Sequence, residues 1–371
     1  MTVAQPLVLV AAGGTGGHLF PAEALALRLR DRGIRVALAT DSRVAALSGE
    51  FPASEIVAIP SATPSGRSPL VRGRAFLTLG RGFASAVQAV RRLNPAVVVG
   101  FGGYPTVPPV LAAQMLKVPT LLHEQNAVMG RANRFLARGA AVIATGFSAV
   151  GGVPAKATAR RVHTGNPVRP AVLAAAAMPY PPLSPESPLE LLAFGGSQGA
   201  RVMSDVVPDA VLRLPEPLRA RLTVIQQARA EDLARVQDIY GRAGLAAFAA
   251  APFFKDLPAK MAAAHLVVGR SGASTVAELG VIGRPAILVP LPGALDQDQA
   301  ANAAVPGAAG AAFPIPQSAF TPERLATELE TLFGDPARLA AAAAAARAGG
   351  LPDAADRLAA LVVETALAAA R

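Results

Sequence analysis

The sequence Leu-Val-Leu-Val at residues 7–10 leads, after two alanines, into Gly-Gly-Thr-Gly-Gly-His at residues 13–18. The apolar run predicts a buried parallel strand, and the glycines predict a tight turn before a helix that begins near Pro21 and stops at Gly33. Glycines let the backbone approach a ligand closely, and a helix N-terminus presents free N–H groups and a partial positive charge. This turn is therefore suited to a phosphate or a pyrophosphate.

The same order of apolar strand and glycine loop recurs twice. Gly-Phe-Gly-Gly-Tyr at residues 100–104 follows Val97–Val99, and Gly-Gly-Ser-Gln-Gly at residues 195–199 follows Leu191–Phe194. One glycine loop is a weak signal by itself. Three of them behind buried strands, spread over both halves of the chain, predict an enzyme that binds a nucleotide diphosphate in a cleft between two sheets.

Length and composition predict two ordinary domains. The chain has 371 residues, more than one core usually serves, and 52% of them are hydrophobic. It has no cysteine, which excludes disulfides and thiolate metal sites. The uncharged stretch from Leu93 to Leu116 contains four prolines and three glycines, so it predicts a strand, a loop and a short helix rather than a membrane span. The N-terminus predicts a first strand and not a signal peptide.

The net charge of +10 is concentrated in one part of the sequence. Between Ile56 and Pro185 the only acidic residue is Glu124, against fourteen lysines and arginines. A one-sided basic surface commonly binds nucleic acid, phosphorylated ligands or an anionic membrane. Composition alone leaves these three uses open.

Short apolar runs alternate with Ala-, Leu- and Arg-rich helical stretches in both halves. The predicted strands are Leu7–Val10, Val36–Ala39, Ile56–Ile59, Val97–Val99, Thr120–Leu122, Val142–Ala144, Leu189–Phe194, Leu222–Gln226, Ala246–Ala250, Leu266–Val268, Ala286–Val289 and Ala311–Phe313. The helices predicted in the first half are Ala22–Arg32, Phe76–Leu93 and Ala132–Arg138. This alternation predicts an α/β protein with two doubly wound, Rossmann-like parallel sheets facing a cleft.

The domain bounds follow from the same pattern. Residues 1–170 are expected to form the first domain, and residues 171–188, with five prolines among positions 179–188, a linker. Residues 189–345 are expected to form the second domain. The Ala-rich tail from Pro336 predicts helix interrupted at Gly349-Gly350, and residues 346–371 are expected to pack back on the first domain.

Three residues of the first half are candidates for chemistry. His18 ends the first glycine loop, where it either accepts a proton, contacts a phosphate, or only caps and packs. His123 and Glu124 come just past a predicted strand, where polar groups normally face a ligand. Glu124 either pairs with a nearby arginine or serves the site. No two histidines have the spacing of metal ligands, so we expect no bound metal and no cofactor.

Two segments of the second half have the residue types that bind a nucleotide sugar. Small residues from Ser271 open a predicted helix whose N–H groups can meet a phosphate, and Glu278 lies one turn past Ser274 to accept from sugar hydroxyls. The polar run Asp296–Asn302 follows another strand and can hold sugar hydroxyls. For the segment from Ser271 to Glu278, the alternative is an ordinary helix cap with an exposed glutamate. For Asp296–Asn302, the alternative is a polar surface loop.

The chain resembles the MurG family, the UDP-N-acetylglucosamine:undecaprenyl-pyrophosphoryl-muramoyl-pentapeptide N-acetylglucosaminyltransferases of peptidoglycan synthesis. The motifs that carry the resemblance, in the same order, are Gly13–His18, Gly100–Tyr104, His123–Asn126, Thr164–Arg169, Gly195–Arg201, Ser271–Glu278 and Asp296–Asn302. The resemblance covers nearly the whole chain. It implies a GT-B fold in which the second domain holds most of the nucleotide sugar and the lipid acceptor enters from the first.

The resemblance also implies a donor site. The diphosphate of the donor would contact Thr15, Gly16 and Gly17. Asn126, Arg169 and Ser197 would also contact the donor. The backbone near Phe254 would read the uracil edge, and Gln299 would hold the sugar. Phosphate and ribose would be held by Ala273, Ser274, Thr275, Val276, Ala277 and Glu278. Two departures from the family are a loop one residue longer before Gln299, and Gln-Gln-Ala-Arg at residues 226–229 in place of His-Gln-x-Gly.

The implied reaction is an inverting transfer from UDP-N-acetylglucosamine to the 4-hydroxyl of the muramoyl sugar of lipid I, which gives lipid II. A base must take the hydroxyl proton, and His18 is the first candidate, with Glu124 second. Glycine-loop amides and helix N-termini can stabilise the charge that develops on UDP without a metal. Closure of the two domains would exclude water.

The basic half fits a lipid acceptor in an anionic leaflet. Arg67, Arg72, Arg74 and Arg81 alternate with the apolar residues Leu70, Val71, Phe76, Leu79 and Phe83. This patch, Arg67–Phe83, suits a peripheral protein on an anionic membrane surface, which the resemblance implies is the cytoplasmic face of the inner membrane. The alternative is a solvated helix face whose other side lies in the core.

Four other functions compete with this interpretation. A UDP-sugar epimerase would act without lipid, and a glycolipid synthase would use a diacylglycerol acceptor. A nucleic-acid-binding protein is disfavoured because the sequence has no recognised module for it. A dinucleotide-dependent dehydrogenase is disfavoured because the first loop lacks the G-x-G-x-x-G spacing.

Overall fold

A computed structural model describes residues 6–13, 16–41, 51–60, 69–184, 186–196, 199–293 and 297–369. The chain forms two compact units. The first contains the described residues up to Arg169 together with those from Pro352 onward, and the second spans Pro170–Leu351. The last segment of the chain is therefore part of the unit in which the chain begins.

Each unit is built on one parallel sheet. The strands in chain order are β1 Leu7–Ala11, β2 Arg35–Thr40, β3 Glu55–Ala58, β4 Val97–Gly100, β5 Thr120–Glu124, β6 Val142–Thr145, β7 Arg160–His163, β8 Leu189–Phe194, β9 Leu222–Gln227, β10 Ala247–Ala251, β11 Leu266–Gly269, β12 Ala286–Leu288 and β13 Ala312–Pro314. Every strand predicted from an apolar run is present, with ends shifted by a residue or two. The exposed strand β7 was not predicted.

The α-helices of the described residues lie between these strands and at the end of the chain. In chain order they are α1 Gly16–Asp31, α2 Pro69–Leu93, α3 Val107–Met115, α4 Arg131–Leu136, α5 Pro170–Ala175, α6 Arg201–Arg213, α7 Glu216–Arg219, α8 Ala230–Gly241, α9 Leu257–Ala263, α10 Ala273–Ile282, α11 Asp298–Ala308, α12 Pro322–Phe333, α13 Pro336–Gly349 and α14 Ala354–Ala369. The predicted alternation of strand and helix is confirmed.

The first sheet has the order β3-β2-β1-β4-β5-β6-β7. Side chains of β1 alternate between its two faces, as the period of a strand requires. Val8 and Val10 pack with α1 and α14, whereas Leu7 and Leu9 pack with α2, α3 and α4. The sheet is therefore covered by helices on both faces, and α14 supplies part of one cover.

The second sheet has the order β10-β9-β8-β11-β12-β13. Its helices include two contacting groups: α6 contacts α8 and α12, and α10 contacts α5, α9 and α13. The buried residues of the first group pack on β8 and β11 in one core. The prediction of two doubly wound parallel sheets is confirmed.

Helix α1 begins at Gly16 and not near Pro21, so that prediction was wrong. Pro21 was predicted at the helix start because proline has no backbone N–H. In a helix interior that missing N–H would have donated to the carbonyl of Gly17. The helix nevertheless extends through the preceding glycines and His18, which puts these residues in its first turn. At its other end Gly33 adopts a positive φ of 73° and stops the helix as predicted.

The segment 171–188, expected to be a linker, packs as part of the second unit. Helix α5 contacts α9 and α10. The buried Arg284 donates hydrogen bonds to the carbonyls of Pro179, at 2.8 Å, and Ile282, at 2.8 Å, and its guanidinium lies 5.6 Å from the ring centre of Tyr180. Burial lowers the pKa of Arg284 to about 10, which leaves it charged at neutral pH.

Candidate active site

The order of the first sheet reverses between β1 and β4, and the loops that leave these two strands are two of the predicted glycine loops. Ligands of open α/β sheets bind at such a switch point, beyond the carboxyl ends of the strands. Gly13 and Gly100 are required there by packing. A Cβ on Gly13 would lie 2.8 Å from Thr40 Oγ1, and one on Gly100 would lie 2.7 Å from Thr106 Cγ2.

The side chain of His18 lies between the first helix turn and the loop that follows β4. His18 lies in the first turn of α1, and its Nδ1 is 2.8 Å from Oε1 of Gln125, the residue that follows β5. Its ring lies against Gly102 and Gly103, both with positive φ, so that a Cβ on Gly103 would be 3.3 Å from His18 Cδ2. Gly16 and Gly17 share this first turn, whose N–H groups have no partner within the helix. Thr15 lies outside the described residues.

Glu124 is buried and surrounded by amides. Its carboxylate accepts from the backbone N–H of Asn126 at 3.0 Å, from that of Gly130 at 3.0 Å and from the side chain of Asn133 at 2.9 Å. The side-chain amide of Asn126 also donates to it, at 3.3 Å. These contacts order the loop that carries Asn126, and a role of Glu124 in the site stays a prediction.

His123 is fully buried in β5 beside Phe101, with ring centres 5.3 Å apart. Its Nε2 donates to the carbonyl of Gly165 at 3.1 Å. Burial lowers the pKa of His123 to about 4, because the charged imidazolium loses its hydration there. His123 is therefore neutral at physiological pH and ties β5 to the loop after β7.

The segment Thr164–Arg169 reaches the same edge of the first sheet. The side-chain amide of Asn166 donates to the backbone carbonyl of Gln125 at 2.9 Å. The guanidinium of Arg169 lies 4.5 Å from the ring centre of Phe20, in α1. The structure thus brings Gly16, Gly17, His18, Glu124, Asn126 and Arg169 together at the carboxyl edge of this sheet.

The second sheet has its own switch point, between β8 and β11. The loop after β8 begins at Gly195, whose N–H donates to Gln227 Oε1 at 3.1 Å, and Gln227 Nε2 donates to the carbonyl of Pro252 at 3.2 Å. Gln227 thus links the glycine loop to the segment after β10. No site role was predicted for Gln227, although its place at the carboxyl end of β9 is a usable signal. Ser197 lies outside the described residues.

The loop after β11 leads through Gly272 into α10, which contains the predicted phosphate and ribose residues from Ala273 to Glu278. Ser271 Oγ donates to the backbone carbonyl of Gln299 at 2.7 Å, and Asn302 Nδ2 donates to the carbonyl of Ser271 at 3.1 Å. These bonds hold the start of α11 beside the start of α10. Glu278 is only 7% exposed, so an exposed glutamate on an ordinary capped helix is excluded.

Two further donor residues predicted from the resemblance follow strands β12 and β10 of this sheet. Gln299 is in the first turn of α11, and its Oε1 accepts from the N–H of Leu291 at 3.0 Å, which leaves the amide nitrogen to donate. Phe254 follows β10, and the ammonium of Lys260 lies 5.2 Å from its ring centre. Asp296, in the predicted polar run, lies outside the described residues.

The described residues contain no group of three or more His, Cys, Asp or Glu side chains arranged to hold a metal ion. None of the helices in the described part of the chain has the length and hydrophobicity needed to cross a membrane.

Comparison with known proteins agrees with this geometry. Residues 8–145 match the glycosyltransferase family 28 N-terminal domain, and residues 191–358 match the C-terminal domain of that family. A crystal structure of MurG from Acinetobacter baumannii is 31% identical in sequence, with a TM-score of 0.76 over 97% of this chain and 99% of that one. Together with the two parallel units, this match shows the GT-B glycosyltransferase fold.

Named relatives extend over the same length. A Methylobacterium sp. (strain 4-46) protein named UDP-N-acetylglucosamine–N-acetylmuramyl-(pentapeptide) pyrophosphoryl-undecaprenol N-acetylglucosamine transferase is 84% identical over 100% of this chain and 99% of its own. A Rhodopseudomonas palustris (strain HaA2) protein of the same name is 57% identical over 97% of this chain and 98% of its own. The chain therefore belongs to the glycosyltransferase family 28 enzymes that carry this name, the MurG family.

Proposed function

We propose that the protein transfers N-acetylglucosamine from UDP-N-acetylglucosamine to the 4-hydroxyl of the muramoyl sugar of lipid I, which forms lipid II for peptidoglycan synthesis. The observation that carries the proposal is the 84% identity, over the whole chain, with a relative named for this transfer. The two switch points support it, since each places main-chain N–H groups where a pyrophosphate can bind. This role would tie the protein to cell-wall growth, and so to cell shape and division.

The donor is proposed to bind mainly in the second unit. Gly16 and Gly17 of the first unit would contact the diphosphate. The N-terminus of α10 would hold phosphate and ribose, with Glu278 accepting hydrogen bonds from the ribose hydroxyls. Gln299 would donate its side-chain amide to the sugar, since its carbonyl oxygen already accepts from Leu291. The segment at Phe254 would bind the uracil edge.

The proposed reaction is a single displacement with inversion. The acceptor oxygen attacks the anomeric carbon as the bond from that carbon to the UDP oxygen breaks, and the bonding electrons leave with UDP. His18 accepts the hydroxyl proton, and Glu124 holds the neighbouring loop in place. Main-chain N–H groups stabilise the negative charge on UDP, so we expect chelation of divalent metals to leave turnover unchanged.

The acceptor is proposed to reach the first unit from the cytoplasmic face of an anionic inner membrane, on which the protein rests. Arg81 is exposed, and the large apolar side chains Leu77, Met115 and Phe135, on helices α2, α3 and α4, are 63%, 53% and 61% exposed. Exposed Lys117 and Arg138 follow α3 and α4. Arg67 lies outside the described residues, and the side chains of Arg72, Arg74, Leu70, Val71 and Phe76 are not described.

The direct test supplies radiolabelled UDP-N-acetylglucosamine with a short-chain lipid I analogue. We expect a labelled lipid-linked disaccharide that depends on the acceptor. Label appearing in a UDP-sugar epimer without lipid, or in a diacylglycerol acceptor instead of lipid I, would contradict the proposal. A His18→Ala variant serves as the matched control for transfer.

A further inference from the structure

Gln125 connects His18 to the second glycine loop of the first unit. Its Oε1 is 2.8 Å from His18 Nδ1, and its Nε2 donates to the backbone carbonyl of Phe101 at 2.9 Å. The side chain is only 3% exposed. Its own backbone carbonyl accepts from Asn166, so main chain and side chain are both held.

The partner of the amide group fixes the orientation of Gln125. The carbonyl oxygen of Phe101 can only accept a hydrogen bond, so the amide nitrogen of Gln125 must face it. The amide oxygen must then face His18. Because that oxygen can only accept, the nitrogen opposite it, His18 Nδ1, must carry a proton.

We propose that Gln125 is a positioning residue that fixes the neutral imidazole of His18 as its Nδ1–H tautomer and so keeps the lone pair on Nε2. The inference rests on the proposed function, in which His18 accepts the acceptor's hydroxyl proton. In the opposite tautomer Nε2 would carry a proton and could accept none. Gln125 itself touches no substrate in this proposal and acts through His18.

Two observations support a positioning role over simple packing. The His18 ring also lies against Gly102 and Gly103, where a Cβ would be 3.5 Å and 3.3 Å from ring carbon atoms. The two titratable groups at the same strand end bond to other partners: His123 Nε2 donates to the carbonyl of Gly165, and the Glu124 carboxylate accepts from the amides of Asn126 and Asn133. Gln125 is thus the group that selects the tautomer.

The first test is nitrogen NMR of histidine-labelled full-length protein, with His18→Gln to assign the signal among the four histidines. We expect the neutral His18 ring to be protonated at Nδ1 in the unaltered protein. In Gln125→Met, which keeps the shape but removes the acceptor, we expect a mixture of tautomers. An Nε2–H tautomer in the unaltered protein overturns the proposal, and this readout is independent of transferase activity and of whether the variant folds.

The second test compares kinetics in Gln125→Met and Gln125→Glu. In the Met variant we expect kcat for transfer to fall by about tenfold or more, with KM for UDP-N-acetylglucosamine changed less than about twofold. The Glu variant keeps an acceptor beside Nδ1, so we expect it to recover most of kcat. Its added negative charge stabilises the imidazolium, so the acidic limb of its pH profile should move to higher pH.

A Gln125→Met variant with unaltered kcat and an unaltered His18 tautomer overturns the proposal. A Gln125→Glu variant whose kcat is no higher than that of Gln125→Met also overturns it. Absence of transfer by the unaltered protein, with the expected tautomer in its spectrum, would instead refute the proposed function alone.

Discussion

At the residue scale, His18 is positioned by groups from separate parts of the chain. Its backbone belongs to the first turn of α1, its Nδ1 bonds to Gln125 after β5, and its ring rests on Gly102 and Gly103 after β4. A side chain fixed on three sides has one orientation, which is what proton transfer in a transition state needs.

We predict that His18→Ala lowers kcat by about 100-fold or more, because it removes the proposed base. UDP binding should change little, since the proposed donor contacts lie mainly in the second unit. Steady-state kinetics and calorimetric titration with UDP check the two halves of this prediction. Turnover close to that of the unaltered protein would remove His18 as the base.

His123 predicts a pH dependence of stability. Its pKa in the folded protein is lowered to about 4 from 6.5, so between these pH values the unfolded chain binds more protons than the folded one. Stability is therefore fully present above about pH 6.5 and decreases as the pH falls toward 4, by up to about 3 kcal/mol from this group.

His123→Gln keeps a side-chain donor for the Gly165 carbonyl but does not titrate. Urea unfolding near pH 7 and near pH 5 should therefore show a smaller loss of stability in the variant than in the unaltered protein. Equal losses in the two proteins would show that His123 does not cause the dependence.

The sequence was sufficient to select His18 and Glu124 as candidates, because His18 ends a glycine loop and Glu124 lies at the end of a recognisable strand. It was not sufficient for Gln125 or Gln227. Their roles are set by hydrogen bonds to residues that are distant in sequence, such as His18, 107 positions away from Gln125. The position of a polar residue at a strand end is local, but its partner is decided by the order of strands in the sheet.

At the scale of elements, apolar runs predicted the buried strands, and the failures have physical causes. Strand β7 is Arg-Arg-Val-His at the edge of its sheet, where its residues are exposed or half-buried. An edge strand whose faces are partly exposed to solvent needs no continuous apolar run. Hydrophobicity therefore gave no signal for β7 in the sequence. The start of α1 was misplaced because the glycines before Pro21 favour a turn when considered alone, but here they form helix.

Gly272, which precedes α10, offers a test of ligand approach at the second switch point. A Cβ there would meet nothing within 4 Å in the protein. We therefore predict that Gly272→Ala lowers the free energy of unfolding by at most about 1 kcal/mol but weakens UDP binding by about tenfold, because the new methyl occupies space next to the phosphate.

Gly241→Ala, at the end of α8, is the matched control, since a Cβ there also meets nothing within 4 Å. It should leave UDP affinity unchanged. Equal affinities in Gly272→Ala and the unaltered protein would show that no ligand approaches this turn. Calorimetry and urea unfolding supply both measurements.

At the scale of the whole molecule, the last helix of the chain packs in the same unit as the first strand and helix. The prediction of two α/β units and of a final helix interrupted at Gly349-Gly350 came from composition and periodicity. The contact of α14 with α1 joins residues more than three hundred positions apart, such as Arg28 and Asp356. The packing of the last segment on the first unit was expected, but which helix it contacts follows from how the helices cover the sheet, and local sequence does not specify that partner.

The basic and apolar surface on α2, α3 and α4 predicts salt-sensitive binding to anionic vesicles. We expect the protein to float with vesicles that contain anionic lipid and to be released by high salt. Reversing two charges with Lys117→Glu and Arg138→Glu should weaken vesicle affinity by at least about tenfold, at about 1 kcal/mol for each basic residue lost.

Arg30→Glu with Arg35→Glu provides the control, because these exposed residues lie on α1 and β2, away from that surface. The control should bind vesicles more tightly than the first pair. Binding that is indifferent to salt and to anionic lipid would contradict the electrostatic part of the membrane proposal.

The glycine loops and helix N-termini at the sheet switch points are proposed to hold a uridine diphosphate. Calorimetric titration of UDP into the purified full-length protein tests it most directly. We predict saturable heat with one UDP per chain, weakened by about tenfold or more in Glu278→Ala because a charged hydrogen-bond acceptor for the ribose is lost. Folded protein that gives no saturable heat with UDP would contradict the account.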